Sequence, residues 1–207
     1  MNHCTDRDLD QDCKLACITK NAYAALGANH KIRSGLDFIE ADDERTLKNQ
    51  VSICEIPAPT FGEEARADYY MRQLAALGLD DVEMDSTGNV FGFLRGSKGH
   101  PKLLVAAHLD TVFPEGTDVK VRYENGKCCA PGIGDNSRGL AALLSVIRAF
   151  RHTRVKPVGD VIFCGNVGEE GLGDLAGIRA AFHDNADIDG FITVDGIGAK
   201  DVAYLAT

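Results

Sequence analysis

His108 and Asp110 close the apolar run Leu104-Val105-Ala106-Ala107 with only Leu109 between them. On an extended segment, side chains two apart share a face. The Asp110 carboxylate can then accept from one ring nitrogen of His108 while the other nitrogen binds a cation. A His-x-Asp pair alone is equally well read as a strand with a polar end. Three more acidic sites change that reading, because each also falls where an apolar run meets a glycine-rich loop. They are Asp135 in Gly132-Ile-Gly-Asp-Asn-Ser-Arg-Gly139, Glu169 and Glu170 in Val167-Gly-Glu-Glu-Gly171, and Asp195 in Phe191-Ile-Thr-Val-Asp-Gly196.

Carboxylates gathered at one edge repel each other, and bound cations relieve that repulsion. One histidine with several carboxylates is a nitrogen/oxygen donor set that suits zinc, and also manganese or cobalt. Glu169 and Glu170 would diverge on a regular strand, but in a loop one can ligate while the other faces a substrate water. A free carboxylate beside an activated water is a general base: it takes the water's proton and later returns one to a leaving amine. Glu63 and Glu64 read differently. They fall in the first turn of an expected helix, where the dipole favours carboxylates, and carry no catalytic role in this reading. Cys128, Cys129 and Cys164 read as buried small hydrophobes rather than ligands.

The elements that must position these residues alternate along the chain. Leu47, Val51 and Cys54 predict a helix closed by Pro57 and Pro59, and residues 62–77 predict a second that stops at Gly78. Strands are expected over 82–84, 89–94, 103–107, 161–166, 191–194 and 202–205. A hairpin is expected over 119–128, turning at Asn125-Gly126, and helices over 136–150 and 174–182. This is an α/β pattern with a mixed central sheet flanked by helices. The acidic sites follow strand ends, the edge that open α/β sheets use for ligands. Residues 1–40 show weak helical periodicity around 13–26 and read as a peripheral arm to the unit formed by 41–207.

A chain of 207 residues can bury one substantial core. Its net charge of −9, without a long Lys/Arg cluster, excludes an electrostatic nucleic-acid surface. Seven cysteines make an odd set with no C-x-x-C pair, which argues against a disulfide framework and for a reducing, cytoplasmic setting. Neither a signal peptide nor an apolar run of membrane-spanning length is present in the sequence, so no membrane partner is expected. The G-x-S-x-G elbow and the P-loop pattern are also absent.

Together, His108-Leu-Asp-Thr-Val-Phe-Pro114, Gly132-Ile-Gly-Asp-Asn-Ser-Arg-Gly139, Gly168-Glu-Glu-Gly171 and Val194-Asp195-Gly196 resemble the ordered motifs of a known superfamily. It is the dinuclear zinc exopeptidase superfamily of peptidase T, carboxypeptidase G and the aminoacylase/deacetylase enzymes, and the peptidase T-like branch is the most similar. The resemblance spans about residues 45 to 200. It implies that His108 binds one metal, Asp110 orients it, Asp135 bridges both metals, Glu169 is the general base, Glu170 binds the second metal and Asp195 completes the first. It also implies a cis peptide bond at Asp135-Asn136, two Zn2+ ions per complete site, and short peptides or N-acyl amino acids as substrates.

The chain departs from that superfamily in two ways. Asn136 stands where a second Asp is common. Superfamily members also continue past the segment matching Asp195 into a lid or dimerisation domain, then return to supply a last His ligand. His152 and His183 fall on expected helices and do not replace it. The resemblance therefore implies the N-terminal part of a catalytic domain, open to self-association or to pairing with a C-terminal half. The alternative is an inactive fragment that acts as a weak metal-binding or protein-interaction module.

Overall fold

Residues 159–166, Gly-Asp-Val-Ile-Phe-Cys-Gly-Asn, are buried at every position. Such a run must have neighbours on both edges and cover on both faces. In the computed structural model, which describes residues 6–185 and 187–196, this segment is the middle strand of a five-stranded sheet.

The strands are β1 (Asp80–Met84), β2 (Val90–Leu94), β3 (Gly99–His108), β6 (Gly159–Asn166) and β7 (Gly190–Thr193), in the order β1-β2-β6-β3-β7. β4 (Arg122–Glu124) and β5 (Lys127–Cys129) form a separate two-stranded ribbon around the Asn125-Gly126 turn. β1 and β2 run antiparallel to their neighbours, whereas β3, β6 and β7 are mutually parallel. The sheet is therefore mixed, as the sequence predicts. Its parallel register pairs His108 with Asn166 and Ala106 with Thr193. All three parallel strands thus end at one edge, and the loops that follow them carry Asp110, Glu169-Glu170 and Asp195.

The period-two alternation of β6 builds two cores. Phe163 packs with Tyr70, Leu74, Leu140 and Leu144 on the face covered by α3 (Asp43–Cys54), α4 (Glu64–Ala76) and α5 (Ser137–Thr153). Ile162 and Cys164 pack with Phe91, Leu104 and Ala181 on the opposite face, under α6 (Ala176–Asp184). Two earlier helices, α1 (Asp6–Ala28) and α2 (His30–Ala41), precede them. α2 spans residue 40 and lies along α5, where Phe38 stacks on His152 with ring centroids 4.7 Å apart. His183 is exposed beside Asp184.

The helix expected from Leu47, Val51 and Cys54 is present as α3, whereas the reading of the cysteines needs correction. The buried side of α3 is Thr46, Gln50, Ile53 and Cys54, while Leu47 and Val51 are only half-buried. The reason is a buried polar cluster: Arg148 of α5 donates to Asp42 at 2.8 Å and to Thr46 at 3.1 Å, and Ser145 donates to Asp42 at 2.8 Å. Of the cysteines read as buried, only Cys164 is. Cys128 is half-buried and Cys129 exposed, because the β4–β5 ribbon pairs with no strand of the main sheet. The strand expected over 202–205 lies outside the described residues.

Candidate metal centre and active-site edge

β3 delivers His108 to the sheet edge with its ring only 2% exposed. Its Nδ1 donates to the main-chain carbonyl of Asp110 at 2.9 Å, with the Asp110 carboxylate at 3.5 Å. The hydrogen-bonded strand ends at His108, and the Asp110 carboxylate, though it still faces the imidazole, makes its closest bonds elsewhere. In the loop after β6 it accepts from the amides of Glu169 and Glu170, both at 3.0 Å. Thr60 Oγ1 adds a third donor at 3.0 Å. Asp110 therefore joins the histidine strand to the Glu169-Glu170 loop.

Nε2 of His108 points to Asp135 Oδ1 at 2.9 Å and to Asp195 Oδ1 at 3.5 Å. Among the described residues, ligand atoms of His108, Asp135 and Glu170 lie within 4.8 Å of one another. The sequence-predicted residues thus converge, from loops after three parallel strands and from the N-terminal side of α5. The Asp135-Asn136 peptide is cis, as the resemblance implies.

Asn136 is fully buried and bonds in two directions. Its Oδ1 accepts from Gly139 N at 3.0 Å and caps α5, while its Nδ2 donates to Val194 O at 2.7 Å. An ionised Asp there could make the first bond and not the second. A methyl at Gly139 would sit 2.0 Å from Asn136 Oδ1, so this cap requires glycine.

The electrostatics suit a cation. Burial alone would lower the His108 pKa, but Asp110, Asp195 and Asp135 outweigh it and raise the pKa to about 9. Burial raises the Glu169 carboxyl above its usual range, and Asp195, Asp110 and Asp135 push it the same way. Burial and then Asp135 do likewise for Glu170. Asp110 goes the other way: burial would raise it, yet His108 and the two loop amides hold it below the usual carboxylate range.

Three supporting residues escaped the sequence reading. Arg66 is buried, with no carboxylate partner among the described residues, donating to Leu109 O at 2.7 Å and Ile56 O at 2.6 Å, and burial lowers its pKa to about 10. Thr60 and Asn89 complete the set, with Asn89 Oδ1 accepting from Val167 N at 3.1 Å. Arg66 and Asn89 act on distant backbone and Thr60 on the distant Asp110 carboxylate, partnerships that residue types and spacing do not reveal.

A mixed sheet with a His/Asp/Glu cluster at its parallel-strand edge is the arrangement that the resemblance to the zinc exopeptidase superfamily implies. The sequence profile of peptidase family M28 matches residues 89–207. The chain belongs to that family. Carboxypeptidase G2 of Pseudomonas sp. (strain RS-16) is 28% identical over 168 residues, covering 75% of this chain and 40% of that protein. The aminopeptidase PepT structure from Bacillus cereus superposes with a TM-score of 0.64 at 24% identity, covering 75% of this chain and 44% of that one. Human carnosine dipeptidase 1 superposes with a TM-score of 0.66 at 14% identity, covering 79% and 41%. This chain therefore spans less than half the length of each of these three proteins.

Proposed function

We propose that this chain supplies the principal metal-binding edge of a two-metal peptidase that cleaves peptide or N-acyl amino-acid amide bonds, in the manner of the peptidase T branch. The observation that carries the proposal is the convergence of His108, Asp135 and Glu170 within 4.8 Å. The donor set fits a divalent ion: one imidazole nitrogen with carboxylate oxygens, the other imidazole nitrogen already committed to a carbonyl. His108, Asp135 and Asp195 would hold one ion, and Asp135 with Glu170 a second. Zinc suits the set, and manganese or cobalt is compatible. When bound, such ions supply Lewis acidity that acidifies water and polarises a carbonyl.

Glu169 takes the proton of the attacking water as the C–O bond forms to the carbonyl carbon, then returns it to the amine nitrogen so that the C–N bond breaks. Asp110 holds the Glu169 and Glu170 backbone and the imidazole in one fixed relation. Cys17, Cys54, Cys128, Cys129 and Cys164 carry free thiols, which supports the cytoplasmic placement. Among the described residues no helix is long and apolar enough to cross a membrane.

The test is hydrolysis of a panel of short peptides and N-acyl amino acids by metal-loaded protein. Chelator should abolish turnover, and Glu169→Gln should lower it by about 10²–10⁴-fold while metal binding persists. Chelator-insensitive hydrolysis, or full activity in Glu169→Gln, would contradict the proposal.

A further inference from the structure

Glu63 and Glu64 are adjacent at the start of α4, yet Glu64 faces solvent and Glu63 is buried. The Glu63 side chain does not cap its own helix. Its Oε1 accepts from Phe61 N at 3.0 Å and, across 105 residues of sequence, from Gly168 N at 3.1 Å. Gly168 is buried and has a positive φ of 59°, so its amide is fixed in direction and shielded from water. The next two amides, of Glu169 and Glu170, end on Asp110. Three consecutive amides of the loop that presents the two glutamates are thus each held by a buried carboxylate.

The segment that supplies Glu63 is itself tied to the histidine strand. Thr111 N donates to Ala58 O at 2.9 Å, Thr60 Oγ1 to Asp110 at 3.0 Å, and Arg66 bridges Ile56 and Leu109. Glu63 therefore reaches the loop from a segment whose position is set by the residues around His108.

We infer that Glu63 is a positioning residue: by capturing the Gly168 amide it fixes the loop that aims Glu169 and Glu170 at the metal-binding edge. The inference rests on the roles proposed above for that pair, but its physical core, loop anchoring, can be measured without metal.

The experiment compares the full wild-type chain with Glu63→Met, which keeps the bulk and removes the acceptor, and Glu63→Gln, which keeps an acceptor oxygen. In metal-free protein, amide hydrogen exchange at 168–170 should be about tenfold faster in Glu63→Met, with the β6 amides 161–166 unchanged. Cobalt(II), followed by its visible absorption, should bind about tenfold more weakly to Glu63→Met. Glu63→Gln should restore both readouts. Equal exchange at 168–170 in wild type and Glu63→Met, or no rescue by Gln, would overturn the inference. Should Glu63→Met fail to fold, Glu63→Asp retracts the acceptor by one methylene and is judged by the same exchange comparison. If wild type binds no cobalt, the metal reading fails, while selective exchange at 168–170 still upholds the anchoring role.

Discussion

The residues that matter most at the sheet edge do two kinds of work. His108, Asp135 and Glu170 bring ligand atoms within 4.8 Å of one another, with Asp195 3.5 Å from the His108 nitrogen, while Asp110 and Asn136 bond mainly to backbone. Asn136 shows the difference. Asn136→Asp would replace the donor to Val194 O with a carboxylate oxygen, setting negative charge against a carbonyl. The expected cost is about 1–3 kcal/mol, read as a lower denaturant midpoint. It should come with weaker metal binding, because Val194 precedes Asp195. The residues that point at one another were legible in the sequence, since chemistry selects their types and each follows an apolar run. The orientation of the Asp110 carboxylate was not. It depends on where β3 stops and on amides more than fifty positions away, neither of which is encoded in the spacing of His108 and Asp110.

At the scale of elements, the sequence showed the strands and the strong helix α5 because their apolar periodicity is clean. The helix α3 was also legible, from Leu47, Val51 and Cys54, but the burial of its Thr46 and Gln50 was not, because apolar periodicity carries no signal for buried polar residues. Thr46 packs into the cluster of Asp42 and Arg148, and Gln50 donates to Ile133 O at 2.6 Å. That cluster binds the Asp42 turn, between α2 and α3, to α5. Arg148→Ala should leave a buried, unpaired carboxylate and destabilise the fold by about 3–5 kcal/mol, measured by chemical denaturation. Burial would raise the Asp42 pKa, but Arg148, Ser145 and Thr46 outweigh it and hold it below 3.8. A depressed folded-state pKa stabilises the native state above the unfolded value and loses that contribution as pH falls through the folded one. Acid unfolding should therefore show a contribution below pH 3.8 that Asp42→Asn removes, and an identical acid limb in both proteins would contradict it.

On the scale of the whole molecule, the sheet formed by the described residues has two edges of different character. β1 carries mostly charged residues, Asp-Asp-Val-Glu-Met, a common guard against edge-to-edge pairing. β7 is guarded less: Phe191 is 41% and Ile192 50% exposed. An apolar edge strand favours association, so sedimentation should show concentration-dependent self-association that Ile192→Lys reduces without lowering the melting temperature. A monodisperse monomer at high concentration would contradict this. The same edge strand leads into Asp195, so the surface open to pairing lies next to the proposed metal-binding residues.

The central claim is that this edge binds divalent metal through His108. Calorimetric titration of the full chain with Zn2+, alongside His108→Ala, tests it most directly. One tight equivalent that the substitution abolishes is expected, with a weaker second that depends on Glu170. Absence of binding, or binding indifferent to His108, would contradict it and favour a structural or protein-interaction role for the cluster.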